Sequence, residues 1–322
     1  MKEIKKFIST LVIKILPLLI LGAFIEYQIR DIPNDYKVKR EYMDRNANKI
    51  ELLFLGDSHI FRGLNPSDFD LRAYNLSQPA QLIEYDCAVF KKYEESMNNL
   101  KYLILGIDIR TFFRHIEEIP GMDNSYKYSI YYGIDNHHSG ISSYFEILHL
   151  RGNLKKILGM FMKKIKGENE NLIDIDLNGY SPRFNQKYLI TKYFCTKLED
   201  CKCPGNKRAK AHNPISGRKF VDENKKYAEE IISICKKKNV KIILLMTPCY
   251  KFYRNHLKWN SLTETRGICT MYEKANDNVY FIDLLDDIDF CWDDYNDVDH
   301  LRNNGAHKLS KKVNDFIKQH CN

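Results

Sequence analysis

The sequence lacks the glycine-rich loops that bind nucleotides. Neither G-x-x-x-x-G-K-S/T nor G-x-G-x-x-G occurs in its 322 residues, so no cofactor is expected. Residues 283–299 hold eight Asp, but without the alternating ligands and glycine turn of a calcium loop, so no metal is expected. No dense basic block is interleaved with aromatics. The net charge of +8 comes from scattered lysines, which argues against nucleic acid and suits a membrane surface or an anionic envelope polymer. There is no internal repeat and no low-complexity tract. A mean hydropathy of −0.46 excludes a protein of many membrane spans. With 44% hydrophobic and 29% charged residues, the chain is not a disordered polymer either. Its 21 Tyr and 17 Phe can fill a large aromatic core.

One long apolar run is present, from Phe7 to Ile25, after Lys2, Lys5 and Lys6. As a helix it spans about 28 Å, close to the hydrocarbon thickness of a bilayer. No A-x-A cleavage site follows it, so residues 1–26 read as an uncleaved anchor. The preceding lysines favour a cytoplasmic N-terminus. The expectation is a single-pass cell-membrane protein with its domain outside, periplasmic or extracellular. An amphipathic helix packed on the domain is the other reading of this run. Residues 27–49 are polar and read as a stalk.

The nine cysteines include Cys195, Cys201 and Cys203, with His212 nearby. Their spacing matches no common zinc pattern, and a local disulfide and free thiols both remain open.

Beyond the stalk, short apolar runs at 51–55, 73–76, 102–107, 240–246 and 279–282 read as buried strands. Helical spacing occupies 80–98, 222–238, 262–276 and the segment after Asn304. The alternation predicts a three-layer α/β/α domain over 50–320 around a parallel sheet of about five strands. A long insertion, 111–220, separates the third and fourth strands. Within it a lysine-rich helix is expected from about 141 to 166, either packed on the core or laid on a membrane.

Ligands of such sheets bind beyond the carboxyl ends of the strands. After the first strand comes Gly56-Asp57-Ser58-His59, a turn able to expose a serine and aim its N–H at an oxyanion. Before the last helix comes Asp297-Val298-Asp299-His300. An Asp three residues before a His can bond its Nδ1–H and leave Nε2 free for a serine proton. Asp299 is the alternative orienting carboxylate. Asp57 reads as an anchor for the turn, and His59 as packed or solvent-facing.

The blocks Phe54-Leu55-Gly56-Asp57-Ser58 and Asp297-to-His300, followed by Leu301 and Gly305, resemble the SGNH/GDSL hydrolase superfamily. That resemblance covers roughly 50–110 and 240–318. It implies a flavodoxin-like fold, Ser58 as nucleophile, His300 as base and acid, and Asp297 as orienter. The chain departs from the pattern in two places. The second block, Asn75-Leu76-Ser77-Gln78-Pro79, has no glycine, leaving the backbone of Ser77 or Gln78 as oxyanion donor. The third, Gly106-Ile107-Asp108-Ile109, has Asp108 where the superfamily carries an oxyanion-binding Asn. Oxyanion donors are therefore sought at Ser58, Ser77 and Gly106.

With an N-terminal anchor, the chain is most similar to the DltD-like and alginate-acetylation-like envelope branch. The resemblance implies a serine esterase or O-acyltransferase, most simply for acetyl groups, acting on an acylated carbohydrate or polymer. The alternative is an inactive binding or scaffold subunit that docks a membrane acyltransferase.

Overall fold

The computed structural model describes residues 2–115, 124–134, 140–149, 159, 161–163, 166–167, 173–182 and 204–320. The chain divides into two compact units, Met1–Arg40 with Asp123–Ile173, and Glu41–Met122 with Asp174–Asn322.

In the first unit, α1 (Lys2–Arg30) carries the apolar run. It is long and apolar enough to cross a membrane, and none of its apolar window is buried against protein. Helix α2 (Asp35–Asn46) follows. The helix expected over 141–166 is not continuous. A 3-10 turn at Ile141–Tyr144 ends at Phe145, whose backbone is extended (φ −132°, ψ 115°), and a short α-helix follows at Glu146–His149. The β-like conformation at Phe145 is what interrupts the predicted helical run. Residues 150–158 lie outside the described residues.

The second unit is built on five parallel strands. These are β1 (Leu52–Leu55), β2 (Ala73–Asn75), β3 (Tyr102–Gly106), β4 (Lys241–Met246) and β5 (Val279–Asp283). Their order is β2-β1-β3-β4-β5, the flavodoxin-like arrangement. Strand runs such as Leu52-Leu53-Phe54-Leu55 are apolar at every position because both faces of the sheet are covered.

On one face, Leu52, Phe54, Ile104, Ile243 and Leu245 pack against Ile60 of α3 (Ser58–Gly63) and against Leu309, Val313 and Ile317 of the last helix, Asn303–His320. By strand alternation, Leu53, Leu55, Leu103, Leu105 and Leu244 face the other layer. That layer contains the helices Ile83–Tyr93 and Val221–Lys237, which pack on each other.

The strand order reverses between β1 and β3, and this is the switch point where open sheets bind ligands. Two glycines let the chain close up there. A Cβ on Gly56 (φ +132°) would lie 3.1 Å from the Gly106 Cα, and one on Gly106 would lie 2.3 Å from Ile60 Cγ1. The C-terminal edge of the sheet is thus narrow at the point where α3 begins.

Candidate active site

Ser58 is the first residue of α3. Asp57 caps the helix with its carboxylate, which accepts from the His59 N–H at 2.9 Å. At this first helical position the Ser58 N–H has no intrahelical acceptor, and it has none among the described residues.

His300 arrives from the opposite end of the sequence. The loop after β5 closes on itself through the Tyr295–Leu301 bridge and the Asn296 N–H, which donates to the His300 carbonyl at 2.9 Å. The following helix is pressed against this loop, since a Cβ on Gly305 would lie 2.2 Å from the Asp294 carbonyl oxygen. The outcome is a chain of contacts from the buried Ser58 and His300 to the partly exposed Asp297. Ser58 Oγ lies 2.9 Å from His300 Nε2, and His300 Nδ1 lies 2.9 and 3.0 Å from the two Asp297 oxygens. Asp297 also accepts from the His300 N–H at 2.8 Å. With Nδ1–H donating to a carboxylate, Nε2 is left as the acceptor for the serine hydroxyl.

Asp299, the alternative orienter, stands 3.7 Å from His300 Nδ1. Its oxygens accept instead from Arg208 Nε at 2.9 and 3.1 Å. His59 is neither exposed nor idle. Its ring stacks on His300 with centroids 5.2 Å apart, its Nδ1 is 3.1 Å from Asp57, and its Nε2 is 3.5 Å from Asp299.

Burial works to lower the His59 pKa, yet the Asp57 charge and the Asp299 contact push it up to about 10. Burial opposes charge on Asp57 and Asp299 too. His59 and Arg110 hold the first carboxyl below its ordinary value, and His300 and His59 hold the second there. The charged form of His59 is thus favoured by the two carboxylates on either side of its ring.

Ser77 and Gly106 complete the set sought from sequence. The Ser77 N–H donates to Asn75 Oδ1 at 3.2 Å, and the Gln78 N–H donates to the Gly56 carbonyl at 3.2 Å. Asn75 in turn ties down the end of α3, donating to the carbonyls of Ile60 and Leu64. Gly106 faces Gly56 across the switch point. Two residues beyond Gln78, Ala80 adopts φ +59°, a left-handed conformation unusual without glycine. Ala80, Gly56, Asp57, Gly106 and Arg110 line a small cleft of about 30 Å³.

Several further residues surround this chain of contacts, among which Arg110, Arg208 and Asp86 carried no local sequence signal. Asp108 is not a lone carboxylate. Its carboxylate grips Arg110 and accepts from the Thr111 N–H at 3.1 Å. The Arg110 guanidinium also pairs with Asp57 and approaches His212 Nε2 at 3.3 Å. Burial and Arg110 lower the His212 pKa, so its ring is neutral, and its Nδ1–H donates to the Tyr253 hydroxyl at 2.8 Å. Arg208 and His212 come from Pro204–His212, inside the predicted insertion. Asp86, on the helix Ile83–Tyr93, accepts from the Gly56 N–H at 2.7 Å, and burial raises its pKa to about 7.

Two groups bring imidazole and carboxylate atoms within 4.8 Å of one another: His59, Asp299 and His300, and Asp57, His59 and Asp108. Guanidinium groups already neutralise these carboxylates, and both His300 nitrogens are engaged. This donor set is that of an ion-pair network, not a metal centre. The Cys195, Cys201 and Cys203 cluster and His137-His138 lie outside the described residues. Cys87, Cys235, Cys249 and Cys269 are buried free thiols.

No protein-family profile matches the chain, and no curated protein matches it. Among solved structures, one from Streptococcus pneumonia, provisionally named a platelet activating factor, aligns with a TM-score of 0.42 at 11% identity. The alignment covers 95% of this chain and 99% of that one.

Proposed function

We propose that this chain is a membrane-anchored serine esterase or O-acyltransferase of the SGNH type. Its substrate is an acylated carbohydrate or polymer of the cell envelope, with acetyl as the simplest acyl group. The observation that carries the reading is the Ser58–His300–Asp297 chain of hydrogen bonds at the switch point of a parallel sheet. The long apolar helix α1 supports attachment to the cell membrane, with the N-terminus inside and the domain outside.

In this reading Ser58 Oγ attacks the acyl carbonyl carbon while its proton passes to His300 Nε2. Asp297 stabilises the imidazolium that forms. The tetrahedral oxyanion meets the Ser58 N–H. Collapse breaks the ester C–O bond, and His300 returns the proton to the leaving alkoxide. The acyl group is then an ester on Ser58. Water or a sugar hydroxyl attacks it next, losing its proton to His300 and restoring the Ser58 hydroxyl.

A second reading rests on Asp108. This carboxylate stands where the superfamily carries an oxyanion-binding Asn and is engaged with Arg110. Loss of one oxyanion donor removes about 10² to 10³ in rate. That favours a binding or scaffold subunit working beside a membrane acyltransferase. A fluorophosphonate probe separates the two. The detergent-solubilised full chain labels covalently if Ser58 is an activated nucleophile, and Ser58→Ala does not. Folded wild-type protein that fails to label overturns the enzyme and leaves the scaffold.

A further inference from the structure

Outside the catalytic cluster, the first unit carries a small apolar surface fastened to the end of its membrane-length helix. Glu26 is the first residue beyond the apolar run and is buried. Its carboxylate accepts from the backbone N–H groups of Glu146 and Ile147, each at 2.9 Å. Arg30 Nε donates to the same carboxylate at 2.6 Å, and its guanidinium also reaches the Tyr144 carbonyl. The Tyr131 hydroxyl holds Glu146 at 2.7 Å. This is a built junction: a glutamate at the last turn of one helix satisfies the free N–H groups that open another.

The junction presents Tyr144, Phe145 and Leu148 to the outside, 44%, 40% and 43% exposed, and Phe24 and Tyr27 of α1 are exposed as well. Since one residue of helix rises about 1.5 Å, the bonds to Glu26 hold Tyr144 and Phe145 within about one helical turn of the end of the apolar run. Aromatic side chains favour that depth in a bilayer, where the ring is half-immersed and a hydroxyl stays wet.

We infer that the segment Tyr144–Leu148 is an interfacial foot, inserted into the headgroup region of the lipid bilayer beside α1. The inference rests on α1 spanning a membrane, and its test separates the two. Full-length protein carrying Trp259→Phe and Trp292→Phe is reconstituted into phosphatidylcholine–phosphatidylglycerol vesicles. One tryptophan is then introduced at a time, by Tyr144→Trp, Phe145→Trp, Leu148→Trp or, as a depth reference, Leu18→Trp.

The foot positions should emit to the blue of a water-exposed tryptophan. Lipids brominated near the headgroup should quench them about twofold, more than lipids brominated near the chain end, with the reverse order at Leu18→Trp. If Leu18→Trp is quenched while the foot positions stay red and open to aqueous iodide, the foot is wrong and the anchor stands. Blue emission at the foot without lipid quenching also overturns it, pointing to a protein partner or a second copy. An unquenched Leu18→Trp removes the anchor and the foot together.

Discussion

Ser58 Oγ and His300 Nε2 sit 2.9 Å apart across 242 positions of sequence. The parallel sheet closes that separation. Every strand ends at the same edge, so the turn after β1 and the loop after β5 are delivered to one place. The Gly56–Gly106 approach narrows this edge, and the Asp86 carboxylate fixes the Gly56 N–H. Placing the serine is thus a property of the sheet and its crossings, and holding the histidine ring is a property of the carboxylate three residues before it.

Two aspartates divide the labour, and the division is testable. Asp297→Asn should leave stability almost unchanged, because the Asp297 side chain is 39% exposed. It should lower kcat/KM on an aryl acetate by about 10³ to 10⁴, because an amide no longer fixes the His300 tautomer. Asp299→Asn should instead lose about 3 kcal/mol of stability, since it takes the charge from a buried carboxylate and leaves the buried His59 short of a partner. Urea denaturation and ester kinetics read the two effects. The reverse pattern would make Asp299 the orienting group.

The His59 imidazolium gives a prediction in alkali. Its pKa is raised from 6.5 to about 10 in the folded protein. The stability it contributes is complete below the unfolded value, about 6.5, and disappears as pH rises through about 10. The urea midpoint should therefore fall across that interval, and His59→Asn should flatten the fall. A wild-type midpoint that holds constant from pH 7 to 10 would show that the ring is neutral.

Much of this was legible in the sequence. The five apolar runs are the five strands, shifted by no more than a residue at each end, and the signal is cleanest at β1, which is buried at every position. Gly56-Asp57-Ser58 and Asp297-to-His300 were visible because each motif is local and its function depends on backbone geometry. Arg110, Arg208 and His212 were not. They reach the site from a turn and a helix whose own sequences carry no pattern, and only the fold supplies their partners. His59 was legible as a neighbour of the serine, but its second carboxylate was not, because Asp299 reaches its Nε2 side from 240 residues away.

Asp86 should show itself near neutral pH. Burial raises its pKa from 3.8 to about 7. The stability tied to its neutral form is full below about 3.8 and is lost as pH rises through about 7. Asp86→Asn keeps a neutral side chain and a carbonyl oxygen for the Gly56 N–H. The variant should gain stability relative to wild type as pH is taken from 5 to 8. If the difference between the two does not change over that range, Asp86 is ionised throughout.

Gly56→Ala tests whether the narrow edge matters to chemistry as well as to folding. The backbone there sits at φ +132°, which an L side chain rarely adopts, and the new Cβ would meet Ile60 Cγ1 at 2.9 Å and the Gly106 Cα at 3.1 Å. The conformation alone costs about 1–3 kcal/mol. Ile60 can turn aside, but the Gly106 backbone cannot, so the turn must move. Ser58 lies two residues further on, and its N–H and Oγ move with it. The variant should lose about 1–3 kcal/mol by urea denaturation and, where still folded, label with fluorophosphonate more slowly by about 10²-fold, the loss expected from a misplacement near 1 Å. Gly106→Ala meets the buried Ile60 Cγ1 at 2.3 Å but lies 3.5 Å from the Gly56 Cα, so it should lose stability through Ile60 while keeping more of the labelling rate. Equal losses of labelling rate in the two variants would mean that crowding around Ile60, and not the backbone of the serine turn, limits the site.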